Sequence, residues 1–141
     1  MVETIKVVLD EGAYEPVRGH ETDAGLDLRT MGDVTIPRGG YVIFDTGVHV
    51  EIPKGYFGKL ESKSGLNVNH GIVCLGGTID AGYTGSIVVK LYNLGDDHYS
   101  FRRGDKIVQL IIQPCELPKI EYVTSLEKTE RADGGFGSTG R

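Results

Sequence analysis

Apolar residues in this chain fall in short, β-branched clusters punctuated by glycine, proline and aspartate. Residues 5–9, 34–36, 41–45, 47–52, 56–60, 71–75, 86–92, 106–112 and 120–123 each have the composition and length of a strand. Residues 47–52 alternate apolar with polar, as a half-buried strand does. No window keeps a helical period over three turns, and the best helix candidate is a single turn over residues 64–69. Short strands spaced about ten residues apart, with turn residues between them, predict an all-β barrel or sandwich. There is no internal repeat and no interdomain linker. Past Val123 the apolar clusters stop and the chain turns to charge, Gly, Ser and Thr. The expected organisation is a β-barrel over residues 1–123 and a flexible Gly-rich C-terminal arm over 124–141.

Composition narrows the function. Glycine is the outlier, with 21 of 141 residues and no collagen period, which implies many turns and close backbone approaches. The net charge is −5 with both signs interspersed, which speaks against duplex nucleic acid as a ligand but not against a small anion held by a local cluster of donors. No apolar run is long enough to span a membrane, and the first residues lack the layout of a secretory signal. Cys74 and Cys115 sit in apolar runs without metal-ligand or redox spacing, so both are expected to be buried small hydrophobes in a reducing, cytoplasmic setting. The four histidines show no zinc-site spacing.

Four stretches carry candidate chemistry. In Gly76-Gly77-Thr78-Ile79-Asp80-Ala81-Gly82-Tyr83-Thr84-Gly85 a carboxylate ends a strand among small residues, open to a ligand, with a flat amphipathic ring three residues on. Asp80 is the candidate general base and Tyr83 the candidate wall for a sugar ring; an ordinary Asp-Gly turn with a buried tyrosine is the competing explanation. Glu61-Ser62-Lys63-Ser64-Gly65-Leu66 places a cation, hydroxyls and a glycine together without the full spacing of a P-loop. Asp27 lies between two leucines at strand period and needs a partner, which a hydrated magnesium ion or a nearby serine would supply. In the tail, the glycines of residues 134–140 allow backbone N–H groups to converge on an anion. Ser138 and Thr139 add hydroxyls, Arg131 a planar fork and Phe136 a stacking ring. A disordered Gly-rich end competes with a flap that closes over a nucleotide.

Taken together, five motifs in order make the chain resemble the trimeric dUTP pyrophosphatases (dUTPases) over nearly its whole length. They are Ala24-Gly25-Leu26-Asp27-Leu28, Lys63-Ser64-Gly65, the Gly77 to Gly85 stretch, Gly104-Asp105-Lys106-Ile107-Val108-Gln109-Leu110, and Arg131-Ala132-Asp133-Gly134-Gly135-Phe136-Gly137-Ser138-Thr139-Gly140. The resemblance implies a distorted jelly roll assembled as a homotrimer, with the arm closing a neighbour's site. It implies hydrolysis of dUTP to dUMP and pyrophosphate, which keeps uracil out of DNA and supplies dUMP for thymidylate synthesis. Asp80 would be the general base and Tyr83 would lie under the deoxyribose, refusing a 2′-hydroxyl. The hairpin with Gly77, Thr78 and Ile79 would read uracil through its backbone. Lys63, Ser64, Gly65 and Gln109 would contact the phosphates. Arg131, Gly137, Ser138 and Thr139 would clamp the terminal phosphate, with Phe136 stacked on the base. Mg2+ would ride on the triphosphate, with Asp27 reaching it through water. Lys63 stands where the family's second motif has arginine, so the charge is kept and the bidentate fork is lost. The dCTP deaminases are a rival of similar fold, but their pocket glutamate and arginine-rich second motif are absent here. A binding switch for a regulatory protein partner is the rival from another class; the compact chain and the presence of Asp80 favour the enzyme.

Overall fold

The computed structural model describes residues 2–140. Eleven strands and one short helix follow in the order β1 (Lys6–Leu9), β2 (Leu26–Arg29), β3 (Val34–Ile36), β4 (Tyr41–Asp45), β5 (Val48–Glu51), β6 (Tyr56–Glu61), α1 (Ser64–His70), β7 (Ile72–Cys74), β8 (Thr78–Ile79), β9 (Val88–Asn93), β10 (Tyr99–Phe101) and β11 (Lys106–Pro114). All pairings between these strands are antiparallel. A four-stranded sheet runs β2-β11-β6-β8 and a three-stranded one β4-β9-β7, with the pairs β1-β5 and β10-β3 completing the shell. No helix among the described residues is long and apolar enough to cross a membrane.

Strand alternation builds the core. Leu28, Leu60, Ile79, Val108 and Leu110 point inward from the four-stranded sheet to meet Phe44, Val89, Leu91 and Phe101. Phe101 packs edge-on against Phe44 at 5.7 Å and against Tyr99 at 4.7 Å. Buried polar groups are satisfied by the chain itself. Asn93, fully buried, donates to the carbonyls of Ile36 (3.0 Å) and Asp97 (2.9 Å) and accepts from the Gly95 N–H (3.0 Å). Asn93→Ala strands three backbone groups in the interior, and we expect a loss of about 3 kcal/mol in urea unfolding with an unchanged m-value.

A β-bulge in β11 sets which side chains face outward. Lys106 pairs with Arg29 and Val108 with Leu28, so Ile107 is the extra residue. Ile107 and Val108 are consecutive and both buried, and the shift turns Lys106 to the outer face it shares with Gln109.

Three sequence expectations are corrected here. Residues 120–123 form no strand: all four are exposed, and among the described residues no strand pairs with them. The strand Tyr99–Phe101 went unread, being three residues long and flanked by Asp97-His98 and Arg102-Arg103. Both cysteines are free thiols, but only Cys74 is buried; Cys115 is half-buried at the end of β11.

Candidate active site

The motifs converge on the outer face of β2-β11-β6. Gln109 of β11 stands in register with Asp27 of β2 on one side and Glu61 of β6 on the other. Its side-chain amide donates to the Ser62 carbonyl at 3.0 Å, which orients it. Lys63 precedes α1 as its N-cap, so Ser64 and Gly65, both exposed, form the first turn beside it.

Asp27 has partners other than those expected from sequence. Its carboxylate is only 4% exposed and is bracketed by two ammonium groups, Lys63 at 2.5 Å on Oδ1 and Lys106 at 3.1 Å on Oδ2. Neither a serine nor a metal is needed to explain its burial. Lys106 is the residue that sequence reasoning passed over; the bulge that aims it at Asp27 leaves no composition signal. Burial alone would raise the Asp27 pKa, but the hydrogen bonds from Lys63 and then Lys106 outweigh it and hold the carboxyl below its ordinary range. A depressed carboxylate contributes stability above its unfolded-state pKa and loses it as pH falls through the folded-state value. That contribution therefore persists down to about pH 4 and fades below it. Asp27→Asn should lower stability by about 2 kcal/mol near neutrality, a figure reduced for the solvent reaching both lysines, and the gap to the native protein should close in acid. Urea midpoints across the pH range measure both.

The hairpin between β7 and β8 is braced from within. Ser62 Oγ accepts the Cys74 N–H at 2.9 Å, and the Cys74 thiol donates to the Gly76 carbonyl at 3.0 Å. Burial raises the Cys74 pKa, which keeps the thiol protonated for that bond. Gly77 adopts φ 145° and its Cα faces the Leu60 side chain; a Cβ there would stand 2.8 Å from Leu60 Cδ1. Its carbonyl accepts the Leu60 N–H at 2.9 Å. Thr78 is exposed on β8 and Ile79 is buried beneath it, so the hairpin offers its backbone outward from an anchored base.

Asp80 follows as an exposed carboxylate at the end of β8, in a turn closed by the Tyr83 N–H on the Asp80 carbonyl at 3.0 Å. The Tyr83 ring is 43% exposed, not buried, and lies over Gly85, where a Cβ would stand 2.7 Å from Cζ. Its hydroxyl donates to the Ser86 carbonyl at 2.6 Å. The ring is thus locked at both ends with one face open.

One chain does not bring these halves together. Ile79 pairs with Gly58, which puts Asp80 opposite Phe57, four residues along β6 from the Glu61 that aligns with Gln109 and Asp27. With about 3.3 Å per residue and about 4.8 Å between strands, Asp80 and Asp27 stand on the order of 20 Å apart. Arg131, Phe136, Gly137, Ser138 and Thr139 make no hydrogen bond to either half among the described residues. Among the described residues, hydrogen bonds from residue 116 onward stay within the C-terminal segment, as from Arg131 Nε to the Gly134 carbonyl at 2.6 Å. Phe136 is fully exposed.

Comparison with known proteins decides the family. The dUTPase family profile matches residues 13–140. The chain belongs to the dUTPase family. A deoxyuridine 5′-triphosphate nucleotidohydrolase of Paramecium bursaria Chlorella virus 1 is 40% identical over 132 residues, covering 94% of each chain. The dUTPase of Staphylococcus bacteriophage 80alpha, in a mutant form solved with dUpNHpp, is 31% identical and superposes with a TM-score of 0.88 over 99% of this chain and 100% of that one. A mutant dUTPase from phage phi11 of S. aureus, solved to reveal the coordination of a structural Mg(II) ion, gives 0.82 at 31% identity over 89% of this chain and 100% of that one. The jelly-roll β fold of the dUTPases is therefore the fold of this chain.

No group of three or more His, Cys, Asp or Glu side chains gathers among the described residues, so the chain builds no cage of its own. Mg2+ needs only one or two carboxylates when phosphates supply the rest. The site thus fits an ion carried in on a dUTPase substrate, with Asp27 as the acid between the two ammonium groups, while Glu61 on the other side of Gln109 is paired with Lys59 at 2.9 Å.

Proposed function

We propose that the protein hydrolyses dUTP to dUMP and pyrophosphate. The observation that carries this reading is the gathering of Asp27, Lys63, Lys106 and Gln109 from two strands and a helix N-cap onto one outer face, on the same sheet that presents the Gly77 to Asp80 edge. Two ammonium groups around one carboxylate leave a net positive charge, suited to a polyphosphate.

Asp80 accepts a proton from a water that attacks the α-phosphorus in line; the α–β bridging P–O bond breaks and the electron pair leaves with pyrophosphate. Lys63, Ser64, Gly65 and Gln109 hold the phosphates, and Arg131, Gly137, Ser138 and Thr139 close on the terminal one. Mg2+ bound to the triphosphate, reached by Asp27 through water, would neutralise charge on the departing oxygens. Uracil is read by the backbone of Gly77, Thr78 and Ile79. Tyr83, its open face toward the sugar, leaves no room for a 2′-hydroxyl. Phe136 stacks on the base and the arm, residues 124–141, shuts out bulk water.

The site is assembled between copies in a homotrimer. The separation of Asp80 from Asp27 within one chain supports this, as do Leu117, Ile120, Tyr122, Val123 and Leu126, all exposed in one stretch of the chain. The test is pyrophosphate release with Mg2+, comparing dUTP with dCTP, dTTP and UTP. Turnover of dUTP alone supports the reading. Ammonia released from dCTP, or binding of dUTP without turnover of any nucleotide, overturns it.

A further inference from the structure

The loop that carries Asp80 and Tyr83 leaves β8 and rejoins the sheet only at Ile87, whose carbonyl accepts from Thr46 Oγ1 at 2.7 Å. Ser86 is tied to the Asp45 carboxylate. Among the described residues, one hydrogen bond links residues 80–85 to the body of the chain: the Thr84 carbonyl meets Nδ1 of His49, on β5, at 2.8 Å. The other ring nitrogen, Nε2, faces Asp10 Oδ1 at 3.0 Å, just beyond the end of β1.

Both partners of this imidazole are acceptors. A carbonyl oxygen only accepts, and so does an ionised carboxylate; a neutral imidazole has a single N–H and cannot serve both. The geometry points to His49 as a positioning residue that, as an imidazolium bridging Asp10 and the Thr84 carbonyl, fastens the loop bearing the general base and the sugar-binding ring. This inference rests on the dUTP-hydrolysing reading of the same site.

The surroundings favour the charged ring. Asp45 at the end of β4 adds a second carboxylate. Lys6 of β1 and Glu51 of β5, which line the same cavity of about 450 Å³, face each other at 3.6 Å and offset one another. The bond to the Thr84 carbonyl, and next the one to Asp10, raise the His49 pKa above its ordinary value. A raised pKa means the fastening is complete below the ordinary histidine range and is lost as pH rises through the folded-state value. Once neutral, the ring must turn a bare lone pair either on the carboxylate or on the carbonyl, and one contact fails.

The experiment is the pH profile of kcat/KM for dUTP in the native protein, Asp10→Asn and His49→Gln, alongside an NMR titration of His49 in the native protein. An alkaline fall in activity is expected that coincides with the His49 titration. Asp10→Asn should move that fall to lower pH by about one unit, since it removes a full charge from the ring's partner. His49→Gln should lose the fall altogether and run about tenfold slower near neutrality, chiefly in kcat, from a misplaced base. A profile in which the His49 titration and the activity do not coincide, or in which Asp10→Asn leaves the alkaline limb in place, overturns the proposal. Absence of dUTP turnover in the native protein would instead overturn the functional reading beneath it.

Discussion

Replacing Asp80 by asparagine lowers kcat for dUTP by roughly 10²–10⁴-fold and leaves the Kd for the nucleotide within a few-fold of the native value. The asymmetry follows from where Asp80 sits. It is exposed at the end of β8, and it makes no side-chain hydrogen bond among the described residues, so its removal neither unfolds the sheet nor strips a partner from another group. The amide keeps the shape and can still accept a hydrogen bond from a sugar hydroxyl, but it cannot take a proton from water. The phosphate contacts proposed for Lys63, Ser64, Gly65 and Gln109 lie on the other half of the site and would be untouched. Single-turnover kinetics with a matched Kd from calorimetry separates the two effects; an unchanged rate removes Asp80 as the base.

Ending the chain at Glu130 produces the second large effect, a fall in kcat/KM of about 10²–10⁴-fold with unfolding free energy essentially unchanged. The first figure joins the stacking of Phe136 on a base, about 1–3 kcal/mol, to at least one charge-assisted bond from Arg131, about 1.5–3 kcal/mol. The second follows from the structure: from Arg131 onward every hydrogen bond of the described segment runs within the segment except that of the Ala132 N–H to the exposed Thr129 hydroxyl at 3.0 Å, and Phe136 touches no core. Removing it therefore takes nothing from the barrel. Full activity in the shortened protein would sink the flap.

The barrel was legible because its strands are short, β-branched and separated by turn residues, and each of these properties is local. Residues 41–45, 71–75 and 106–112 were read almost to their boundaries for that reason. Residues 120–123 have the same composition and form no strand, because a strand is completed by a partner and none pairs with them among the described residues. The site was legible as a set of motifs and not as a geometry. Asp27 was recognised as an acid that needs a partner, yet its true partners, Lys63 and Lys106, lie 36 and 79 positions away and meet it only through sheet register. Lys106 reaches it because of a single extra residue in β11, a feature with no compositional trace. His49 read as one histidine among four; its two acceptors come from different elements and only the fold brings them to opposite ends of one ring.

That extra residue also decides which changes of length the chain tolerates. Deleting Ile107 would restore a regular ladder with Lys106 still opposite Arg29 and Val108 still opposite Leu28, so both side chains would keep their faces and the loss would fall on the core, which gives up a buried isoleucine. A deletion elsewhere in the strand has no such slack: removing one residue from 108–112 shifts one part of β11 by a position against its partners and exchanges its faces. Variation in the length of dUTPases built on this plan therefore belongs in the connections between strands or at the bulge itself, where a one-residue gap opposite Ile107 reads as a bulge lost and not as a register changed.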